Sequence, residues 1–512
     1  MFALPAGRSG PNKPAARALL FSLAPSLAIA GAATSALAEA AGPLAGARPN
    51  IVLVMTDDQG KGELSCLGSP ILSTPHLDRL YAQSSRFTDF HVSPTCSPTR
   101  AAIMAGRHEF KSGVTHTIWE RERLSLDTFT LPQMLQRAGY ATGIFGKWHL
   151  GDEAPYQPGR RGFDEVFIHG AGGIGQSFAC SCADAPPNRE NRYFDTVVRH
   201  NGRFVKTGGF CTDVFFRQAL GWIKAQSATD QPFFAYISTN APHDPMIAPE
   251  SYKKPFLAAG WDEETAARWG MIVNIDDNIG MLMDKLGEWG VERDTLLIFM
   301  TDNGQSHIRG VRNGKRKKLY TAGLRGKKGT PHEGGTRVPA LWRWPGRIGA
   351  GRDIASLTAH IDLYRTFAEL SGGDTPGAQV EGRSLLPLLA SGDATADWPD
   401  RYLFTHCGRW KDEPGPAGKK YRDCAVRSAR YRLVNNRELY DIQNDPGETT
   451  DIADRHADVV AAMQAAYESW WASVQPRLVN EGVPPATTRP YVEGYKRQLA
   501  TEGIPDWLPP AY

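Results

Sequence analysis

An α/β fold, with a large mixed but mostly parallel sheet sandwiched by helices, is what this sequence predicts, and three observations predict it. Short apolar runs rich in β-branched residues recur along the chain, stretches of helical periodicity lie between them, and the runs stop at polar turns. Strands that alternate with helices favour parallel pairing, because each parallel connection has to cross a face of the sheet and cover it.

The first run, "NIVLVMT" at 50–56, is continuously apolar from Ile51 to Met55 and stops at "DDQG", as a strand buried on both faces does at a polar turn. "LPQMLQRAGY" followed by "ATGIF" reads as a helix and then a strand. "PFFAYIST" and "TLLIFMT" repeat the buried-strand pattern, and between them "DEETAARWGMIVNIDDNIGMLMDKLGEWG" has apolar residues at helical spacing and a glycine, Gly290, suited to a C-cap. From about residue 396 the texture changes to four short strand-like pieces, "RYLFTH", "CAVRSA", "YRLVNN" and "ELYDI", and then a helix over "RHADVVAAMQAAYESWWASV". These changes divide the chain into a leader (1–38), a spacer (39–48), a large domain (49–395), a small antiparallel sheet with its helix (396–475) and a Pro-rich tail (476–512). There is no internal repeat.

The leader reading rests on Arg8, Lys13 and Arg17 ahead of the apolar run "ALLFSLAPSLAIAGAATSALA", which ends in the small-residue pattern Ala36-Leu37-Ala38. This predicts an exported protein, periplasmic or secreted, with no membrane span once the leader is removed. With 41% hydrophobic and 22% charged residues and a net charge of +3, the bulk composition excludes neither a nucleic acid nor a polyanionic sugar as partner. Seven cysteines leave one over in a compartment that favours pairing. A bridge between Cys407 and Cys424 would close the Pro/Gly-rich loop between them, and Cys96 is the candidate for the unpaired thiol.

In open parallel sheets the ligand site lies beyond the carboxyl ends of the strands. "TDDQG", "APHDP" and "TDNG" each begin where a predicted strand ends, so three separated segments should converge on one edge. Adjacent carboxylates at Asp57 and Asp58 need a cation, a proton or full solvation to coexist, as does Asp302 beside Asn303. Each pair alone could be an ordinary turn, but together at two strand ends these hard oxygen donors favour a metal, and they suit calcium or magnesium. "SPTCSPTRAAIMAGR" predicts a helix starting just after Cys96, with Ser97 as cap and Pro98 in the first turn. Arg100 then falls in that turn, where a cation opposes the helix dipole and must answer to a carboxylate or to an anionic substrate. "FGKWHLG" contributes Lys147 and His149, "APHDP" contributes His243, and "LRGKKGTPHEGGTRVP" contributes Lys327 and Lys328 on a Gly-rich loop.

Taken together, "CSPTRAAIMAGR", "FGKWHLG", "TDNG", "LRGKKGTPHEGGTRVP" and "LYDIQNDPGETTDIA" resemble the ordered blocks of the type I sulfatases, a branch of the alkaline-phosphatase superfamily, from about residue 50 to the end of the C-terminal helix. The resemblance implies an alkaline-phosphatase-like fold and hydrolysis of an aryl or carbohydrate sulfate ester, a small molecule or a glycan. It further implies that Cys96 is converted to formylglycine by a maturation enzyme and serves as nucleophile. Asp57, Asp58, Asp302 and Asn303 would hold calcium, or magnesium, together with the modified residue. Arg100 would steady the formylglycine, Lys147 and Lys328 would contact the sulfate, and His149 and His243 would be the two active-site histidines. Lys327 stands where many relatives have glycine and receives no role, and Thr99 stands where serine is commonest. No nucleic acid enters this reading. Two alternatives come with the superfamily: a phosphonate or phosphate diester hydrolase, and an inactive homologue that binds sulfated glycans. The loop-like stretch 152–215 is expected to wall the site and set specificity. The run 303–332 has no acidic residue and many basic ones, either a solvated loop or a field that favours substrates with several anionic groups.

Overall fold

The computed structural model describes residues 44–187, 190–391, 397–411, 413 and 415–512; the expected leader over 1–38 lies outside them. The main sheet contains β1 (Asn50–Thr56), β2 (Ser85–Phe87), β3 (Ala141–Lys147), β4 (Glu165–His169), β5 (Val197–His200) and β6 (Arg203–Lys206). It is completed by β7 (Phe233–Ser238), β8 (Thr295–Thr301), β11 (Ala340–Arg343) and β12 (Arg352–Ile354), while β9 (Arg309–Arg312) and β10 (Lys315–Lys318) form a separate hairpin. The ten strands run in the order β12-β2-β11-β8-β1-β7-β3-β4-β5-β6. The five in the middle, from β8 to β4, are parallel throughout, and antiparallel partners extend the sheet on both sides.

The continuous apolar runs are explained by burial on both faces. Along β1, Ile51, Leu53 and Met55 enter one core while Val52 and Val54 enter the other, as the period of two requires. The first core is closed by α1 (Cys96–Ala105), α2 (Leu131–Arg137) and α5 (Asp362–Ser371), the second by α3 (Cys211–Ser227) and α4 (Glu263–Glu288). The predicted α/β sandwich is what forms.

A second sheet, β13 (Leu403–His406), β14 (Cys424–Arg427), β15 (Tyr431–Val434) and β16 (Glu438–Asp441), is an antiparallel meander. The helix α6 (Ala457–Val474) packs on it through Met463, Tyr467, Trp470 and Val474, and Phe110 of the large lobe joins the same cluster.

Three local expectations are corrected. Helix α1 begins at Cys96 itself, with Thr95 as the residue before it and no side-chain cap; Ser97 donates instead to the His149 carbonyl at 2.9 Å, so its hydroxyl ties the helix to the β3 turn. Cys407 and Cys424 are not bridged: both are free and buried. The β13/β14 register sets His406 opposite Cys424, so Cys407 lies one step out of register and its side chain takes the other face, where Sγ is 3.2 Å from the Gly329 carbonyl. The disulfide present joins Cys180 and Cys182. The stretch 152–215 is not all loop, since β4, β5 and β6 lie inside it, and the tail forms α7 (Pro490–Thr501), whose first residue is the proline that suits that position. Gln498 of α7 exchanges hydrogen bonds with the Phe204 backbone of β6, which fixes the tail along the sheet edge.

Candidate active site

Four adjacent parallel strands, β8, β1, β7 and β3, end at one edge of the sheet. Each releases chemistry-bearing residues within five positions of its end: Asp302 and Asn303 after β8, Asp57 and Asp58 after β1, His243 after β7, and His149 after Lys147, the last residue of β3. Parallel order is the reason they meet, because it puts every strand's carboxyl end on the same side. Helix α1 delivers Cys96 to this edge, and one atom each of Asp57, Cys96 and Asp302 lie within 4.8 Å of one another.

At the floor of the site every carboxylate has a cation. Lys147 Nζ donates to Asp57 Oδ2 at 2.5 Å, and Lys328 Nζ lies 2.7 Å from Asp58 Oδ1 and 2.8 Å from Oδ2. Arg100 Nη2 donates to Asp302 Oδ2 at 2.8 Å, and Nη1 reaches the hydroxyl of Ser238 and the carbonyl of Lys147. The cation that breaks the dipole preference at the start of α1 therefore answers to a buried carboxylate. Of the two lysines on the Gly-rich loop, Lys328 turns inward and Lys327 is exposed.

Burial and these charges pull the acids apart. Burial pushes Asp57 up to about 6 despite Lys147, and burial with the neighbouring Asp57 raises Asp302 to about 6. Burial also opposes ionisation of Asp58, but Lys328, then His243 and Asn303, outweigh it and hold Asp58 well below the carboxylate range. Among the side-chain oxygens of Asp57, Asp58, Asp302 and Asn303, two are buried without a hydrogen bond to any described residue, Oδ1 of Asp57 and Oδ1 of Asn303. Asn303 spends its amide on Asp58 Oδ1 at 2.9 Å and on the Gly304 carbonyl, which leaves that oxygen as an acceptor facing no donor. Orphaned hard oxygens beside three carboxylates fit a calcium-type or magnesium-type ion.

The histidines are held through one ring nitrogen each. His243 Nδ1 donates to the Asp244 carbonyl at 2.8 Å, and Nε2 lies 4.0 Å from Asp58 Oδ2. His149 Nε2 lies 2.8 Å from the Thr117 carbonyl and 3.2 Å from Glu122 Oε2, and its Nδ1 has no partner. Gly172, from the stretch 152–215, passes so close that a Cβ there would sit 2.6 Å from the His149 ring; only glycine allows that wall to approach. The side chains of Lys147 and His149 are 0% and 2% exposed, against 14% for His243 and 16% for Lys328. The latter two thus stand at the mouth, and Lys147 and His149 lie beneath them.

Several supporting residues receive no role in the sequence reading. Glu122 backs His149, and burial raises its carboxyl to about 7. Arg268 on α4 pairs with Glu63 through two bonds of 2.6 and 2.8 Å and donates to the Asp58 carbonyl at 2.7 Å. Glu448, inside the "NDPGETTDIA" block, accepts from the Glu333 amide at 2.9 Å and binds His332 at 3.0 Å, holding the loop that carries Lys328. Glu333 is itself buried against Arg427 and Arg432 of the second sheet.

Known proteins resemble this chain in sequence and in fold. Residues 49–373 match the Sulfatase family model, and 327–470 match the model of the N-sulphoglucosamine sulphohydrolase C-terminal region. N-acetylgalactosamine-6-sulfatase of Canis lupus familiaris is 34% identical over 382 residues, covering 70% of this chain and 69% of that protein. Arylsulfatase A of Homo sapiens is 30% identical over 466 residues, covering 82% and 87%. The solved structure of Ps i-CgsB in complex with k-i-k-neocarrahexaose superposes with a TM-score of 0.72 at 26% identity, over 89% of this chain and 98% of that one.

Proposed function

From a chain that belongs to the sulfatase family and hydrolyses sulfate esters, we infer a reaction run by a formylglycine made from Cys96 beside a divalent cation, calcium before magnesium, on a sulfated sugar. The observation that carries this reading is the pair of orphaned buried oxygens, Asp57 Oδ1 and Asn303 Oδ1, next to Cys96 and the carboxylates of Asp58 and Asp302. These five residues would hold the ion. When bound, it would add positive charge to a floor whose charges are already matched, polarise sulfate oxygens and favour an ionised nucleophile. An aldehyde at position 96 hydrates to two hydroxyls on one carbon, which is what permits attack on sulfur by one and release of sulfate through the other.

The chain's own residues do the rest. Lys147 from below and Lys328 from the mouth meet the negative charge of the sulfuryl group. Arg100, fixed by Asp302 and Ser238, steadies the start of α1 and so the position of residue 96. With Nδ1 committed to the Asp244 carbonyl, His243 presents Nε2 at the mouth to exchange a proton with the leaving alcohol. His149, with Nε2 committed to Thr117 and Glu122, presents Nδ1 for the proton of the nucleophilic hydroxyl. Relatives named for N-acetylgalactosamine and for aryl sulfates, and a structural relative that holds a carrahexaose, support a carbohydrate sulfate with aryl sulfates as simple substitutes. Export completes the proposal and rests on the leader pattern in 1–38.

The test is a panel of sulfated monosaccharides, sulfated oligosaccharides, an aryl sulfate and a matched aryl phosphonate, assayed before and after dialysis against a chelator. Release of inorganic sulfate, lost on chelation and restored by calcium, is expected. Full sulfate release from metal-free protein, by elemental analysis, refutes the metal, and faster turnover of the phosphonate refutes the choice of ester.

A further inference from the structure

The hairpin of β9 and β10 presents a cationic surface whose charges have no acidic partner among the described residues. Arg309 stands opposite Lys318 and Arg312 opposite Lys315 across the two strands, and like charges directly opposite destabilise a strand pair. All four residues of β10, Lys315, Arg316, Lys317 and Lys318, are exposed, as are Arg309 and Arg312. Among the described residues none of the six has an ion pair. The acidic residues of the adjoining segment are engaged elsewhere: Asp262 caps α4, Glu263 pairs with Lys253, and Glu264 lies 3.1 Å from His307.

The hairpin is also built rigidly. Asn313 and Gly314 have φ of 49° and 71°, the two positive values of the tight turn that matches strand twist. The Asn313 amide donates to the Gly260 carbonyl at 2.7 Å, the Asp262 amide donates to the Val311 carbonyl at 2.9 Å, and the Arg312 guanidinium lies over the Trp261 ring. A solvated loop needs none of this. Six cations held in a fixed, mutually repelling array are stabilised when an extended polyanion lies across them.

Position selects the polyanion. The hairpin closes where the Leu319 amide donates to the Ile308 carbonyl; Ile308 is five residues after Asn303, and Leu319 is nine before Lys328. Five residues of chain reach at most about 17 Å, so a polymer with one sulfate ester in the active site has further anionic groups within range of the array. We propose that the β9/β10 hairpin is an exosite for the remote sulfates of a polysulfated glycan, which makes such a chain the preferred substrate. The proposal rests on the sulfate-ester reading above. A nucleic acid has the charge but no sulfate ester to occupy the site at the hairpin's base.

The test compares the native protein with a variant carrying Lys315→Gln, Arg316→Gln, Lys317→Gln and Lys318→Gln. The ratio of kcat/KM on a polysulfated oligosaccharide to kcat/KM on 4-nitrophenyl sulfate should fall about tenfold at low salt, and the salt dependence of the oligosaccharide reaction should flatten. A ratio that stays the same overturns the exosite. Calorimetric binding of a heparin oligosaccharide is read alongside, with weaker binding to the variant expected; unchanged binding overturns the exosite whether or not the protein turns over any sulfate ester, and absence of all turnover strikes the sulfatase reading alone. A variant that keeps charge, Lys315→Arg with Lys317→Arg and Lys318→Arg, should retain the native ratio, and its failure to do so would assign the effect to shape and overturn the proposal. Binding of duplex DNA as tight as that of the heparin oligosaccharide would do the same, since the array would then read charge without regard to the glycan.

Discussion

The floor of the active site and the β9/β10 hairpin are both rich in cations, lie close in sequence and are organised in opposite ways. On the floor Lys147, Lys328 and Arg100 are each matched to one carboxylate, Asp57, Asp58 and Asp302 in turn. On the hairpin no cation is matched to a carboxylate among the described residues. The difference follows from water. A charge removed from solvent costs several kcal/mol unless an opposite charge and hydrogen bonds replace its hydration, whereas exposed charges about 10 Å apart are screened by ordinary salt. Floor charges are therefore tied to the fold itself, and hairpin charges are free to act on what approaches.

That comparison can be broken by substitution. Among substitutions of these charges the largest effect is expected at Asp302→Ala, which removes an oxygen donor and strands the buried Arg100. Turnover should fall roughly a hundredfold or more, and chemical denaturation should show a loss of about 3–5 kcal/mol. A variant that unfolds at the native denaturant midpoint would show that the floor charges are not coupled to the fold. Next comes Glu333→Gln, distant from the reacting atoms but buried between Arg427 and Arg432. It should cost about 3 kcal/mol, with the conservative Glu333→Asp recovering part of it, and it should raise KM more than it lowers kcat if its role is to hold the loop of Lys328. The smallest effect belongs to the hairpin, where Arg316→Gln should change stability by no more than about 0.5 kcal/mol, as at an exposed position away from any network. A larger loss would mean that the array is a structural element after all.

How much of this is visible in the sequence depends on how local the cause is. The four strand ends can be read because a buried strand has a local signature and a polar motif follows it directly, as "TDDQG" follows "NIVLVM" and "TDNG" follows "LLIFM". Arg100 can be flagged because it violates a local rule of helix ends, although its partner, Asp302, cannot be named from that rule. Arg268 and Glu63 are 205 residues apart and Arg427 and Glu333 are 94 apart; their pairing is created by the packing of whole elements and leaves no period or motif behind. Glu122 is similar, an ordinary acid in "WERE" until the fold buries it beside His149. Two further features have the same origin. Cys407 and Cys424 flank one loop, but strand register, not loop length, decides which face each thiol takes. The Pro-rich tail looks structureless until β6 supplies the backbone groups that Gln498 binds.

The most direct measurement is the mass of the peptide spanning Cys96, taken from protein produced with a formylglycine-generating enzyme and sorted by specific activity. Conversion of Cys96 to the aldehyde should rise in proportion to sulfate release, and Cys96→Ala should leave a folded protein with kcat reduced at least about a thousandfold. Full activity in protein whose Cys96 is entirely an unmodified thiol would contradict the account.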